Sequence, residues 1–491
     1  MLTVTDLLER RSCSDRLAIV EGRSGEGVTW WEVSDQAARW RASGLEGPVG
    51  LALADPVAMA TNFVAALQAG VIVAPLDPAA PPADAVARVA QLGLRSLVVG
   101  PGQPAPEGVE TWRAGRRELR SLGGDRRPGS KLPEAPLAVA ALMASSGTTG
   151  RPKVIPLTEP QLVATAAGVA RELDLEPADR GYSPLPLFHI NGLVVGVLSA
   201  LVAGSTIVVD RHFSKRSFWS TVEAQRVTWL NLVPAILAIV GSTEPAADET
   251  ARVRLARSAS APLPDAVRRR FEDGTGIPVV ETYGMTEAAS QICANPINDR
   301  RPGTVGRPVD VELRLVGDRV QIRGDRVTPA YWSADDGRWT SRPAHGPDGW
   351  LDTGDLGRMD DAGHLHLLGR DGDVINRGGE KIQPREVEEI LLSDARVAAA
   401  VLVARPHDTV GEEPVAYVLP APGRPIAHLA CELSELCTRT LSRFKRPAEI
   451  VVAESLPVGP TGKVRRAQVR AMAAASSSPS NQGHSHGLTV S

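Results

Sequence analysis

Ala144-Ser145-Ser146-Gly147-Thr148-Thr149-Gly150-Arg151-Pro152-Lys153 is the stretch around which this chain is organised. It follows an apolar run, residues 137–143, that predicts a buried strand. Glycines let a loop bring its backbone N–H groups close to a ligand, and hydroxyls with a lysine suit phosphate. A Walker A loop needs its lysine directly after the second glycine, and here Arg151 and Pro152 intervene. The stretch therefore predicts phosphate binding by another scheme, in preference to a flexible Ser/Gly linker.

The composition is that of an ordinary globular protein of about three domains, judged by length. The chain has 491 residues, 43% of them hydrophobic and 23% charged, with a net charge of −3. This net charge shows no excess of basic residues of the kind that binds nucleic acid. The four cysteines show no CxxC spacing, so neither a zinc site nor a disulfide framework is predicted. The N-terminus has no basic region followed by an apolar core, so we expect no signal peptide and a cytoplasmic protein.

One uncharged run, residues 190–209, is long enough to span a bilayer. Three glycines interrupt it, and its end is β-branched like a strand. A buried helix followed by a buried strand explains this pattern better than a membrane span.

The order of apolar patterns predicts an α/β fold. Strand-like and helix-like segments alternate over residues 1 to about 100 and 137 to about 290, which indicates parallel sheet covered by helices. Residues 101–134, rich in Pro, Gly and Arg, predict an excursion or linker. Period-two alternation on both sides of Gly317-Asp318 predicts a hairpin in a β-barrel-like subdomain that ends near residue 370. A small α+β domain should follow, and then a disordered tail over 475–491.

Further polar stretches lie between the apolar runs, and each alone also fits an ordinary structural role. Taken alone, His189 is more typical of a buried core histidine than of a site residue. Residues 281–287 are equally consistent with a strand-end turn, and Asp355 with a solvated turn. Functionally, a tyrosine can stack on a base, and a carboxylate can hold Mg2+ together with phosphates. The stretches are Pro186-Leu-Phe-His-Ile-Asn-Gly192, Glu281-Thr-Tyr-Gly-Met-Thr-Glu287, Asp348-Gly-Trp-Leu-Asp-Thr-Gly-Asp355, Gly369-Arg-Asp-Gly-Asp373, Asn376-Arg-Gly-Gly-Glu-Lys381 and Pro460-Thr-Gly-Lys463.

Together, in order and spacing, these stretches resemble the ANL superfamily of adenylate-forming enzymes, which includes acyl-CoA synthetases, peptide-synthetase adenylation domains and luciferases. The resemblance runs from about residue 10 to 470. It implies a large N-terminal AMP-binding domain, residues 1–370, and a small mobile C-terminal domain, residues 371–474.

The resemblance also implies roles for individual residues toward ATP and Mg2+. The opening loop would hold the β- and γ-phosphates, and the backbone near residues 260–262 would line the adenine opposite a stacked tyrosine. The residues that match these positions are Ser146, Thr148, Thr149 and Lys153 for the outer phosphates, Tyr283 for adenine, Thr286 for the α-phosphate, Glu287 for Mg2+, and Asp355 with Arg370 for ribose.

The resemblance likewise implies which residues bind the acid and the thiol. Lys463 matches the lysine that bridges the substrate carboxylate and the α-phosphate, and His189 matches the residue that shapes the acyl pocket. The Gly378-Gly379-Glu380 loop would line the channel for the pantetheine of CoA. In this superfamily the small domain turns about a hinge between the two half-reactions. The hinge position, usually Asp or Lys, is Gly372 here.

An ATP-dependent acyl-CoA synthetase is therefore the predicted function. The alternatives are a ligase that loads a separate carrier protein, a luciferase-type oxygenase, and a non-catalytic AMP-binding protein. The last would be expected to lack Lys153, Glu287 or Lys463, and all three are present. The pocket region looks apolar, with Trp229 and Ile292 among its residues, and this favours an apolar monocarboxylate over an amino acid.

Overall fold

The computed structural model describes residues 2–11, 14–107, 109–124, 132, 139–144, 153–243, 245–335, 338–421, 423–459 and 464–476. Contacts between Cα atoms divide the chain into two compact units. The larger unit comprises Met1–Thr353 and Gly357–Leu367, and the smaller unit comprises Gly354–Leu356 and Leu368–Ser491.

Four α-helices of the described residues begin after residues whose side chains accept from free backbone N–H groups. Thr3, Thr29 and Thr158 form capping boxes, and Asp55 accepts from two N–H groups ahead of a proline in the first turn. The helices of the described residues are α1 (Val4–Glu9), α2 (Trp30–Ser43), α3 (Pro56–Gln68), α4 (Pro82–Gln91), α5 (Glu159–Glu172), α6 (Ser199–Ala203), α7 (Phe218–Ala224), α8 (Pro234–Val240), α9 (Ala247–Thr250), α10 (Asp265–Thr275), α11 (Pro384–Leu392), α12 (Leu429–Thr440) and α13 (Arg466–Ser476).

The strands of the described residues build four sheets. They are β1 (Leu17–Glu21), β2 (Gly27–Thr29), β3 (Val49–Ala52), β4 (Val73–Pro75), β5 (Ser96–Val99), β6 (Glu110–Ala114), β7 (Leu119–Gly123), β8 (Val139–Ala144), β9 (Val154–Thr158), β10 (Arg180–Ser183), β11 (Thr206–Val209), β12 (Trp229–Leu232), β13 (Leu255–Ser258), β14 (Val279–Tyr283), β15 (Cys293–Ala294), β16 (Arg307–Pro308), β17 (Glu312–Val316), β18 (Arg319–Arg323), β19 (Ala330–Asp335), β20 (Arg338–Pro343), β21 (Leu351–Met359), β22 (Leu365–Arg370), β23 (Ile375–Arg377), β24 (Glu380–Ile382), β25 (Val397–His407), β26 (Gly411–Pro420) and β27 (Glu449–Val452).

One nine-stranded sheet of the larger unit provides most of the candidate site. Its order is β16-β15-β14-β13-β12-β10-β11-β1-β2, and the strands from β14 to β1 are parallel. The carboxyl ends of β10, β12, β13 and β14 therefore meet at one edge, where open α/β sheets bind their ligands. The predicted α/β fold is confirmed.

The second nine-stranded sheet, β20-β19-β9-β8-β4-β3-β5-β6-β7, corrects one sequence prediction. Part of the expected linker over 101–134 forms β6, which pairs in parallel with β5, and β7, which pairs with β6. Thr111 and Ala114 of β6 are buried, and this short burial pattern was hidden by the Pro- and Gly-rich flanks.

The uncharged run folds inside the larger unit, as predicted. A π-helical segment, Asn191–Leu198, continues into α6 and then β11, and nearly all of these residues are buried. The run needs no charges because its faces pack against other core residues. No helix in the part of the chain that the structure describes is long and apolar enough to cross a membrane.

The β-rich subdomain is a four-stranded sheet in the order β17-β18-β21-β22. The predicted hairpin is present as β17 and β18, joined at Gly317, whose φ is +60°. The next hairpin, β19–β20, joins the second nine-stranded sheet instead, through the pairing of β19 with β9.

The smaller unit is α+β, as predicted. Its sheet has the order β24-β23-β26-β25, and β27 pairs with β26. Helix α13 was not predicted; it buries Val469 and Ala473 in a cluster with residues of β25 and β26. Residues 475 and 476, which were assigned to the tail, are helical, and the rest of the predicted tail lies outside the described residues.

Candidate active site

A tight turn after β14 presents Thr286 and Glu287. The turn is a 3-10 helix, Thr286–Ala288, and Ala289 and Ser290 close it with φ values of +50° and +106°. Non-glycine residues adopt such values only where the surrounding structure enforces them, and such strain clusters at functional sites. Thr286 is half-buried, and Glu287 is only 9% exposed.

Tyr331 links this turn to Lys153. The Tyr331 hydroxyl donates to Oε1 of Glu287 at 3.1 Å, and the Lys153 ammonium lies 4.8 Å from the centre of the Tyr331 ring. Pairing of β9 with β19, with Val154 opposite Trp332, brings the lysine and the tyrosine together. Burial first, and then the nearby Glu287 charge, raise the pKa of Tyr331, so the hydroxyl keeps its proton.

The other oxygen of Glu287, Oε2, has no hydrogen-bond partner among the described residues, and no group of three or more potential metal ligands occurs there either. One carboxylate fits Mg2+ because this ion is commonly bound by one or two carboxylates together with substrate phosphates. Sequence reasoning missed Tyr331, since a tyrosine within a strand carries no motif of its own.

Tyr283 ends β14 and is 8% exposed. It lies in an apolar cluster with Ala288 and Ile292. The turn that follows it is closed by the Ile292 N–H, which donates to the Tyr283 carbonyl at 2.8 Å.

His189 lies just before the π-helical segment, with its ring 4.5 Å from that of Phe188. Its Nε2 is buried without a partner in the described part of the chain. Burial lowers the pKa of His189, against a smaller opposing effect of the Asp77 charge. The imidazole is therefore neutral at pH 7 and suits the wall of a pocket.

Arg257 forms a polar network that sequence reasoning missed. It lies on β13, is 1% exposed, and donates to the side-chain oxygens of three amides, Asn191, Asn231 and Gln291, at 3.2 to 3.3 Å. The Asn191 amide in turn donates to the Ser260 hydroxyl at 3.1 Å. The signal that could have revealed the network is the single arginine inside the apolar strand Leu255-Ala256-Arg257-Ser258.

In the smaller unit, Arg370 donates from Nε to Oδ1 of Asp355 at 3.0 Å, so the two residues matched to ribose lie together. Gly378 and Gly379 join β23 to β24 with φ values of +61° and +93°. Positive φ at both positions is what a two-residue hairpin turn needs, and Gly-Gly supplies it. Glu380 is exposed beside this turn.

Other predicted site residues lie outside the described residues: Ser146, Thr148 and Thr149 of the opening loop, and Lys463.

Comparison with known proteins identifies the family. A family model of AMP-binding enzymes matches residues 9–332, and a model of their C-terminal domain matches residues 386–463. A sulfoacetate–CoA ligase of Cupriavidus necator is 42% identical over 347 residues, 68% of this chain and 67% of that protein. A probable CoA ligase of Humulus lupulus is 32% identical over 516 aligned residues, 95% of each chain. The chain is an AMP-binding enzyme of the ANL superfamily.

A solved structure supports the fold of this AMP-binding enzyme. ATP-bound MatB from Rhodopseudomonas palustris is 25% identical, with a TM-score of 0.82 over 96% of this chain and 99% of that chain. The AMP-binding enzyme is an acyl-CoA synthetase, an AMP-forming acid–thiol ligase that uses ATP, Mg2+ and CoA. It activates a carboxylic acid as an acyl-adenylate, with pyrophosphate release, and transfers the acyl group to the CoA thiol.

Proposed function

We propose that the turn at Thr286–Glu287, with Tyr331 and Lys153, is the part of this acyl-CoA synthetase that binds the phosphates of ATP. The observation that carries the proposal is the Lys153–Tyr331–Glu287 cluster, in which a cation lies over the ring of one tyrosine and a carboxylate accepts from its hydroxyl. Tyr331 orients Glu287 by donating to Oε1, and Oε2 is left for Mg2+. Mg2+ supplies charge neutralisation on the phosphates when it is bound.

Adenylation brings two anions together, because a carboxylate attacks the anionic α-phosphate. Lys153 and the opening loop, with Ser146, Thr148 and Thr149, are proposed to neutralise the charge that grows on the departing pyrophosphate. Thr286 would donate to the α-phosphate, and Lys463 would hold the two reacting anions together. Tyr283 and the Asp355–Arg370 pair would bind adenine and ribose.

His189 is proposed to line the acyl pocket as a neutral imidazole. In the second half-reaction, the Gly378–Gly379 turn and Glu380 would line the path of the CoA thiol. The domain boundary near residue 370 and the rotation of the smaller domain about Gly372 belong to the same proposal.

The test is a screen of carboxylic acids for pyrophosphate release and for acyl-CoA formation, with and without CoA. The library includes sulfoacetate, because the relative of 42% identity is named for that acid. We expect CoA-dependent acyl-CoA from at least one acid. Product formed only with an acyl carrier protein, and not with CoA, would instead support carrier loading.

The hinge assignment of Gly372 makes a separate prediction. A Cβ at this position would meet nothing within 4 Å, so Gly372→Ala is sterically neutral and serves as the control. Gly372→Pro fixes φ and restricts Asp371. It should slow thioester formation about 10-fold more than adenylation, because only the second step follows the rotation. Equal losses in pyrophosphate release and acyl-CoA formation would contradict the assignment.

A further inference from the structure

Arg257 carries a buried positive charge that no carboxylate of the described residues neutralises. It forms no ion pair with a described carboxylate, and its hydrogen bonds go to neutral amides only. Burial lowers the pKa of Arg257 to about 9, so the guanidinium is still protonated at pH 7. A buried charge without a partner is strongly destabilising. A ligand of opposite charge that binds to Arg257 would offset this cost.

The network around Arg257 also has an excess of donors. Nε of Arg257 and Nε2 of Gln291 are both buried without a partner in the described chain, and both can only donate. The amide oxygens that could accept are already engaged by Arg257 itself. The group that is missing is an acceptor, and an anion would satisfy both donors.

The network lies where an acid would bind. Arg257 and Asn231 lie toward the carboxyl ends of the parallel strands β13 and β12, and Gln291 follows β14. Asn191, two residues after His189, connects the network to the proposed acyl pocket. Ligands of open α/β sheets bind at this edge. The network therefore lies at the ligand-binding edge of the sheet and is connected to the proposed acyl pocket.

We propose that the acid substrate carries a second anionic group, a carboxylate or a sulfonate, which binds to Arg257 and Gln291. The proposal rests on the proposed function, since it assumes that the acid occupies the pocket beside His189. Arg257 is then a specificity-determining residue. The prediction of an apolar monocarboxylate, made from Trp229 and Ile292, is replaced by this one, because the apolar residues around the network do not supply a counter-charge.

Matched acids test the second charge. Each pair keeps its size and differs in one charge: malonate and malonamate, succinate and succinamate, sulfoacetate and methylsulfonylacetate. The first two pairs test a carboxylate at two lengths, and the third tests a sulfonate. In at least one pair we expect kcat/KM for acyl-CoA formation to be roughly 50-fold higher for the dianionic acid.

Two variants test the role of Arg257. Arg257→Met removes the charge and should lower kcat/KM roughly 50-fold for the dianionic acid while changing that of its monoanionic partner only a few-fold. Gln291→Glu puts a carboxylate where the amide oxygen lies 3.3 Å from Nη2 of Arg257. Gln291→Glu should also remove the preference for the dianionic acid, but it should raise the thermal unfolding temperature. A loss of preference in this variant therefore cannot be explained by a loss of folding.

The control is Arg254→Met. Arg254 lies just before β13, at the opposite end of the strand, and pairs with Asp179 at 2.9 Å. We expect this variant to keep the preference for the dianionic acid. Equal use of both members of every pair, or a preference that survives in folded Arg257→Met, would overturn the inference while leaving the proposed function intact. If no acid of the library yields acyl-CoA, the proposed function itself is overturned.

Discussion

Glu287→Gln is expected to lower the rate of pyrophosphate release on the order of 1,000-fold, as measured with saturating ATP and acid. The substitution keeps the shape of the side chain and an oxygen that can accept from Tyr331. It also keeps the backbone bond in which the Thr328 N–H donates to the Glu287 carbonyl at 2.7 Å. What it removes is the negative charge, and with it the affinity for Mg2+.

The thermal stability of Glu287→Gln should therefore be close to that of the wild type. The rate of pyrophosphate release in this variant should partly recover when the Mg2+ concentration is raised, because more of the weakened metal sites are then occupied. An unchanged rate at low Mg2+ concentration would rule out Glu287 as the metal ligand.

Tyr331→Phe is the matched control for this prediction. It removes the hydroxyl that orients Glu287 but leaves the carboxylate and the ring beside Lys153. We expect a loss of about 10-fold, since one orienting hydrogen bond is worth about 1 kcal/mol or slightly more. A loss as large as that of Glu287→Gln would indicate that the hydroxyl itself contacts substrate.

The sequence predicted those parts of the fold whose pattern is local. The β17–β18 hairpin was predicted from its turn residues. The uncharged run was assigned to the core because its glycines and β-branched end contradict a membrane helix. Each of these features is encoded within about 20 consecutive residues.

Features that depend on distant parts of the chain could not be predicted. Strand β6 forms by pairing with the edge of β5, and α13 forms by packing on apolar residues of β25 and β26. The same holds in the site. The link from Glu287 to Lys153 through Tyr331, and the gathering of three amides around Arg257, appear only when strands far apart in sequence become neighbours.

Gly284→Ala is expected to reduce pyrophosphate release by more than 100-fold, because it displaces the turn that presents Thr286 and Glu287. A Cβ on Gly284 would lie 1.5 Å from the Ser290 carbonyl oxygen and 3.0 Å from Cα of Gln291. Both are backbone atoms, so the clash can be relieved only by moving the chain. We also expect the free energy of unfolding to fall by about 2 kcal/mol.

Gly274→Ala is the control, because it adds a Cβ to a glycine that has open space around it. Gly274 is exposed within α10, and a Cβ there would meet only the Gly241 carbonyl oxygen, at 3.8 Å. Alanine in a helix is more stable than glycine by about 0.5–1 kcal/mol, so this variant should unfold at a higher temperature with unchanged activity. The unfolding temperature should thus fall in Gly284→Ala and rise in Gly274→Ala, whereas pyrophosphate release should fall only in Gly284→Ala. Full activity in Gly284→Ala would show that the turn does not hold the catalytic groups, because its backbone cannot keep this position beside a Cβ.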